Sequence, residues 1–295
     1  MGRVKAAARN IIFGYIGNLT TQLLGFVLRT IFIRHLGQTL NGVNALYTGI
    51  LSVLSMAELG IGTALNYSLY KPVIHKDYEK IKSYMLLYKK AYRIIGFVVA
   101  GIGLVIVPFL PYLVKQPEGV TLRDLTLYYL IFLFNTVSSY FVAYKYSLVN
   151  AEQKNYIQTN IITVTKMITV TLQIIVILTT GNFYAYLLTA ATVELLQKIF
   201  VSRYLNNMYP YLKEKDIKPL TKEEVGEVVK KTKALVLHKV GDVARLQTDA
   251  MIISGFINVT LSGIVDNYNL VISSVSNFVN LSLIHISEPT RRSYI

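Results

Sequence analysis

Asn18, Gln22, Gly25 and Arg29 recur at i, i+4, i+7 and i+11, which on an α-helix is one narrow face. His238, Asp242, Arg245 and Asp249 repeat the pattern later in the chain. Ser55, Glu58, Gly62 and Asn66 form a third such stripe, and Asp266, Ser273, Asn277 and Asn280 a fourth. All four lie in otherwise apolar stretches. An ionised side chain deep in a bilayer is costly unless it faces protein or water, so each charged member is a candidate binding residue. Guanidinium groups at Arg29 and Arg245 offer charge-assisted, bidentate hydrogen bonds to an anion, with amides and hydroxyls beside them for polar substituents. The structural readings stand next to this one. Hydroxyl and amide positions also serve helix–helix packing. Arg245 and Asp249 are i,i+4 partners able to neutralise each other, and Glu58 is the alternative salt-bridge partner for Arg29. Lys166 and Glu194 fall near the middle of neighbouring apolar segments and read equally as an internal ion pair.

The elements that must carry these stripes are membrane helices. The chain has 295 residues, 53% hydrophobic and 16% charged, with a mean hydropathy of +0.45, a composition that argues against a soluble globular domain. A bilayer core of about 30 Å requires roughly 20 apolar residues per helix. Eight segments qualify: 10–33, 43–69, 92–114, 125–148, 156–180, 183–205, 234–258 and 261–284. The expected fold class is therefore all-α, a polytopic membrane protein. The N-terminal basic residues Arg3, Lys5 and Arg9, the cluster from Lys71 to Arg93, and the cluster from Lys213 to Lys233 all fall on one side of that arrangement. The alternate loops are short and almost uncharged, so the positive-inside rule puts the N-terminus in the cytoplasm. The first apolar stretch runs past signal-peptide length and reads as a retained helix.

The net charge of +14 belongs to those loops and points to anionic membrane lipid, not nucleic acid. Absence of Cys excludes disulfides, Cys-ligated metals and thiol catalysis, and four scattered His make no metal cluster. No phosphate-binding glycine loop or catalytic constellation stands out, so neither an enzyme nor a cofactor is expected. Thr221-Lys222-Glu223-Glu224 has the form of a capping box and should start a helix that continues into the seventh span.

The chain also repeats itself. Val240-Gly241-Asp242-Val243 lies over Ile16-Gly17-Asn18-Leu19 at an offset of 224, and Gly263-Ile264 and Tyr268 over Gly42-Val43 and Tyr47 at 221. The expected organisation is a six-helix N-terminal lobe at 1–206, a basic linker with an amphipathic helix at 207–233, and the first two helices of a pseudo-repeated second lobe at 234–284. Residues 285–295, His285-Ile286-Ser287-Glu288-Pro289-Thr290-Arg291-Arg292-Ser293-Tyr294-Ile295, change character and read as a non-native tail on a C-terminally truncated chain. The four stripes then converge on a hydrated cavity between the two halves.

Arg9-Asn10-Ile11-Ile12-Phe13-Gly14, Arg34-His35-Leu36-Gly37, Asn41-Gly42-Val43-Asn44-Ala45-Leu46-Tyr47 and Glu58-Leu59-Gly60-Ile61-Gly62, with His238-Lys239-Val240-Gly241-Asp242 and Asp249-Ala250-Met251-Ile252-Ile253-Ser254, resemble the polysaccharide-export flippases. These belong to the superfamily that also holds lipid II flippases and multidrug antiporters. The resemblance covers about residues 5–284 and implies two six-helix lobes, alternating access, and a bacterial cytoplasmic-membrane location. It implies translocation of undecaprenyl-pyrophosphate-linked oligosaccharide, with Arg29 and Arg245 meeting the pyrophosphate, Asp249 at a commonly acidic position, and Asn18, Gln22 and Glu58 beside them. Polysaccharide-assembly enzymes are the implied partners. A cation-coupled drug antiporter is the alternative, although helix 1 lacks the acidic residue such proteins typically carry there; a membrane glycosyltransferase or polymerase would need a long outer loop that is not present.

Overall fold

The computed structural model describes residues 3–114, 119–214 and 217–292, with the backbone alone described for several segments, among them 242–247 and 277–292. Helices make up nearly all of it, and there is no strand among the described residues. They are α1 (Arg3–Leu54), α2 (Leu59–His75), α3 (Tyr78–Ile106), the single turn α4 (Leu110–Leu113), α5 (Leu122–Ala151), α6 (Asn155–Thr180), α7 (Phe183–Met208), α8 (Lys222–Ile252) and α9 (Val259–Arg292).

The first span and the start of the second are the two limbs of α1, which meet at Gly37 inside the 34–42 stretch that the sequence suggests as a loop. The turn is concentrated in one residue, Gly37, whose φ of 87° lies where only glycine is unstrained. The chain folds back there. Arg29 and Asn41 share a hydrogen bond across Gly37, whereas twelve residues of straight helix would separate them by about 18 Å. A four-residue 3-10 turn, Ser55–Glu58, then splits the expected second span into the end of α1 and α2.

Five helical stretches among the described residues are long and apolar enough to cross a bilayer: Arg9–Leu54, Tyr78–Leu113, Leu122–Ala151, Asn155–Thr180 and Phe183–Met208. The first, at 46 residues, is long enough for two passes once it reverses at Gly37. The expected seventh and eighth spans, 234–258 and 261–284, lie partly outside the described residues. The helix that carries the seventh starts in the charged run Lys222-Glu223-Glu224, and the eighth carries its polar stripe along α9.

Local chemistry sets the boundaries. Thr121 and Asp124 form a capping box at the start of α5, and Thr221 and Glu224 form the expected one at α8, with Glu224 N–H donating to Thr221 Oγ1 at 3.3 Å and Thr221 N–H to Glu224 Oε2 at 3.1 Å. Asn182 caps α7 by accepting from Ala185 N–H, and the left-handed Gly181 stops α6. Lys80 reaches Glu224 at 2.9 Å and, with the cap, holds that carboxyl below the usual carboxylate range.

Two apolar cores follow, one at each end of the bundle. At the end holding the Gly37 turn, Leu28, Phe32, Leu46, Tyr47, Leu125, Tyr129, Ile177 and Phe183 pack together, with Val259 joining from α9. At the end holding the basic segments, Leu65, Leu69, Ile81, Tyr88, Tyr140, Leu148 and Val201 pack with Val228 of α8. The basic segments are not wholly solvated. Lys82 is buried and bridges Glu79 (2.5 Å) and Glu214 (2.7 Å), and Ser83 Oγ donates to the Lys218 carbonyl, so the stretch before α8 is tied to α3. Thus α8 starts on the second core, and α9 returns to the first.

Candidate functional site

A cavity of about 370 Å³ opens inside the bundle between α1, α6, α7 and α9. Gln22, Gly25 and Arg29 line it, so three members of the first stripe do share one wall. Asn18, a turn away from them, is exposed and lies outside the lining. Ser273 and Ser274 contribute from α9, Lys166 from α6, Tyr186 from α7, and Asn41 and Asn44 from the part of α1 beyond Gly37.

Arg29 is not the unpaired cation that helix 1 alone suggests. Its Nη1 donates to Asp266 Oδ2 of α9 at 2.5 Å, to Asn267 Oδ1 at 3.2 Å and to Asn41 Oδ1. Asn41 Nδ2 donates in turn to the Gly263 carbonyl at 2.9 Å and to Asn267 Oδ1 at 3.2 Å, while Asn267 Nδ2 reaches Gln38 Oε1 at 3.4 Å. One guanidinium therefore organises a polar knot that ties α9 to both limbs of α1. Glu58, the alternative partner and itself a candidate site residue, does not meet Arg29 and does not line the cavity. Glu58 sits in the 3-10 turn against the Tyr92 phenol of α3, more than a helix length of chain from Arg29. Ser55, from the same stripe, accepts from Tyr140 Oη at 2.9 Å. The third stripe thus faces α3 and α5, and Asn41 and Asn44, nearer the Gly37 turn, take the place it was expected to hold.

The remaining predicted residues divide. Asp249 is exposed on α8. The side chains of Arg245, Asp242 and His238, and of Asn277 and Asn280, lie outside the described residues, so the second stripe and half of the fourth are not placed.

Lys166 and Glu194 do not form the expected ion pair. Glu194 instead accepts from Asn135 Nδ2 at 2.6 Å, and Lys198, one turn further along α7, stands 4.0 Å from it. Lys198 Nζ is held by the Asn135 carbonyl (2.8 Å), Asn135 Oδ1 (2.6 Å) and Ser138 Oγ (2.9 Å). Among the described residues Lys166 has no hydrogen bond or ion pair. It lies in Coulombic range of both Glu194 and Arg29, and it lines a second cavity of about 290 Å³, which also holds Asn135, Gln173 and Glu194, as well as the first. The Gln22 Oε1 atom is likewise buried with no hydrogen-bond partner among the described residues. The first cavity therefore pairs an uncommitted ammonium with an uncommitted amide acceptor, which suits an anionic ligand that also carries hydroxyl donors.

The repeat has a spatial counterpart. Thr39 and Thr260, at the offset of 221, meet with hydroxyl oxygens 3.1 Å apart. Gly42 and Gly263, at the same offset, touch through backbone: a Cβ built on Gly42 would fall 1.8 Å from the Val259 carbonyl oxygen, and one on Gly263 2.7 Å from Gly42 N. Contact between equivalent residues is what a local two-fold axis produces.

No family model matches the chain, and no curated protein does. Solved structures do. The chain superposes on a multidrug resistance MATE family transporter of the MOP superfamily in an inward-facing conformation, with a TM-score of 0.57 and 14% identity over 84% of this chain and 59% of that one. It superposes on a MOP superfamily transporter from Pyrococcus furiosus with a TM-score of 0.63 and 14% identity over 91% of this chain and 60% of that one. A third match is MATE in complex with MaD3S, with a TM-score of 0.55, 16% identity, and 86% and 58% coverage. The chain thus shares the fold of these solved structures, and it spans about 60% of their length.

Proposed function

We propose that the chain is part of a transporter that moves an anionic amphiphile across the bacterial cytoplasmic membrane by alternating access, with the N-terminus in the cytoplasm. The ligand class is a polyprenyl pyrophosphate carrying sugar, an undecaprenyl-pyrophosphate-linked oligosaccharide of the kind that polysaccharide-export flippases handle. The observation that carries this reading is the polarity of the first cavity. Arg29 and Lys166 bring two cations to it, and its described lining holds no carboxylate; Asp266 reaches it only through its bond to Arg29. A pocket for cationic drugs requires the opposite sign. The P. furiosus neighbour is itself described as having a binding pocket of reverse polarity that suggests a different function. Contact between repeat-equivalent threonines and glycines supports a division into a first lobe at 1–206 and the start of a second at 234–284, with the cavity between them. The basic segments suit an anionic cytoplasmic leaflet, where polysaccharide-assembly enzymes would deliver the ligand.

Ligand-induced thermal stabilisation tests the reading, because a ligand that binds the folded state raises Tm as mass action requires. Farnesyl pyrophosphate is expected to raise the Tm of the purified chain in proportion to the logarithm of its concentration, and farnesol, which has no charge, is not. Stabilisation by ethidium but not by farnesyl pyrophosphate would favour the antiporter alternative.

A further inference from the structure

We propose that Asp266 is a built-in surrogate for the ligand anion on Arg29, so that loading the cavity releases α9 from α1 at the Gly37 end. The inference rests on the anionic-ligand reading above and adds how occupancy is relayed to the rest of the fold. Arg29 uses Nη1 alone in its described contacts, although a guanidinium carries five N–H donors in a planar fork. The ion pair is half-open, with side-chain exposures of 21% for Arg29 and 32% for Asp266, and Arg29 lines the cavity while holding its partner. Lys166 completes the arrangement, as the second cation of the same cavity and one with no hydrogen bond of its own.

Charge decides the competition. Asp266 brings one negative charge to one cation. A pyrophosphate brings at least two, spread over several acceptor oxygens, and reaches both Arg29 and Lys166. A neutral or singly charged head group has no such advantage over the resident carboxylate. When Arg29 turns to the ligand, the knot loses its centre, because Asn41 and Asn267 are oriented by the same Nη1. What remains between α1 and α9 at this end carries no ion pair: the Thr39–Thr260 hydroxyl pair, the Asn41 bonds to the Gly263 carbonyl and Asn267 Oδ1, the Asn267–Gln38 bond, the Gly42–Gly263 approach and the packing of Val259. The end opposite the basic segments is therefore latched by a bond that the ligand replaces. An unloaded cavity keeps its latch, and discrimination for a doubly charged head group comes from the exchange itself.

The chain has no native Cys, so Thr39→Cys with Thr260→Cys turns the latch into a cross-linking reporter. The disulfide fraction formed under brief mild oxidation is read on the detergent-solubilised chain with no ligand, farnesyl pyrophosphate, farnesol or inorganic pyrophosphate. The expected result is efficient cross-linking without ligand, a fall of threefold or more with farnesyl pyrophosphate, and no change with farnesol. Asp266→Asn in the same background should show the low value without ligand and little further response. Arg29→Lys, which keeps the ion pair, should keep the unliganded cross-link and so separates a lost latch from a misfolded chain. A full response to inorganic pyrophosphate supports the exchange with the free diphosphate as its source; a response to farnesyl pyrophosphate alone assigns it to the lipid-linked group. If farnesyl pyrophosphate raises Tm but leaves cross-linking unchanged, the exchange is wrong and the functional reading survives. If it neither binds nor changes cross-linking, both fall.

Discussion

Lys166 and Lys198 stand on facing helices with Glu194 between them, and they are held in opposite ways. Lys198 spends its donors on Asn135 and Ser138 of α5, at 2.6 to 2.9 Å, and is almost buried. Lys166 donates to none of the described residues and reaches two cavities. The difference teaches how to sort intramembrane charges. A cation whose hydrogen bonds are saturated by its own fold is part of the scaffold, because removing it strands the groups that surround it. One left unsaturated at a cavity wall has been desolvated without compensation, and such a cost persists where a ligand supplies the missing partner.

The largest effect expected from this contrast is on folding. Lys198→Ala leaves the Asn135 carbonyl, Asn135 Oδ1 and the Ser138 hydroxyl without their common donor, and stranding buried acceptors costs roughly 1–3 kcal/mol. The Tm of the purified chain should fall by several degrees or more. Lys166→Ala should cost less than about 1 kcal/mol, since it removes no bond. Equal losses for the two would break the comparison.

The next effect is on binding. Lys166→Gln should weaken farnesyl pyrophosphate binding at least tenfold, about 1.4 kcal/mol, with the melting curve of the unliganded chain nearly unmoved. Titration of the ligand-induced Tm shift reads both quantities from one experiment. Lys198→Gln should show the reverse pattern, destabilised but with its residual folded fraction binding normally.

Sequence reasoning reached part of this. Spacing alone brought Gln22, Gly25 and Arg29 to one face, and hydropathy with the capping signal at Thr221 located the helices and the start of α8. The counter-ion of Arg29 was not legible. Asp266 is 237 residues away, and periodicity says which residues share a helix face but not which face meets which helix. The same limit misplaced Glu58, which turns toward Tyr92 because a 3-10 turn interrupts the helix that was to carry it. Lys166 and Glu194 were recognised as neighbours, with an internal ion pair as one of two equal readings. Nothing in the spacing shows that Asn135, from α5, intervenes and takes the carboxylate. Gly37 lay in a stretch that read as a loop of several residues, and the break is there but confined to one residue, because a glycine at positive φ reverses the chain without extra residues.

The smallest effect tests the space between the two lysines. Among the described residues Glu194 is the only carboxylate lining the cavity that Lys166 shares with Asn135, and it draws on the Lys166 ammonium through space without bonding it. Glu194→Gln removes that attraction and keeps the shape, and the new amide still accepts from Asn135 Nδ2. Lys198 retains its three bonds to α5, so stability should change by less than about 1 kcal/mol. The anion site gains, because its net positive charge rises by one and a negative charge competing for Lys166 is gone. At the separations typical of a partly hydrated cavity, one added charge is worth on the order of 0.5 kcal/mol, so farnesyl pyrophosphate should bind two- to threefold more tightly. The gain must vanish when Lys166→Gln is combined with Glu194→Gln, since the carboxylate acts on the ligand mainly through that ammonium. A gain that persists in the double variant would mean that Glu194 repels the anion directly, and Lys166 would then lose its assignment as the cation that receives it.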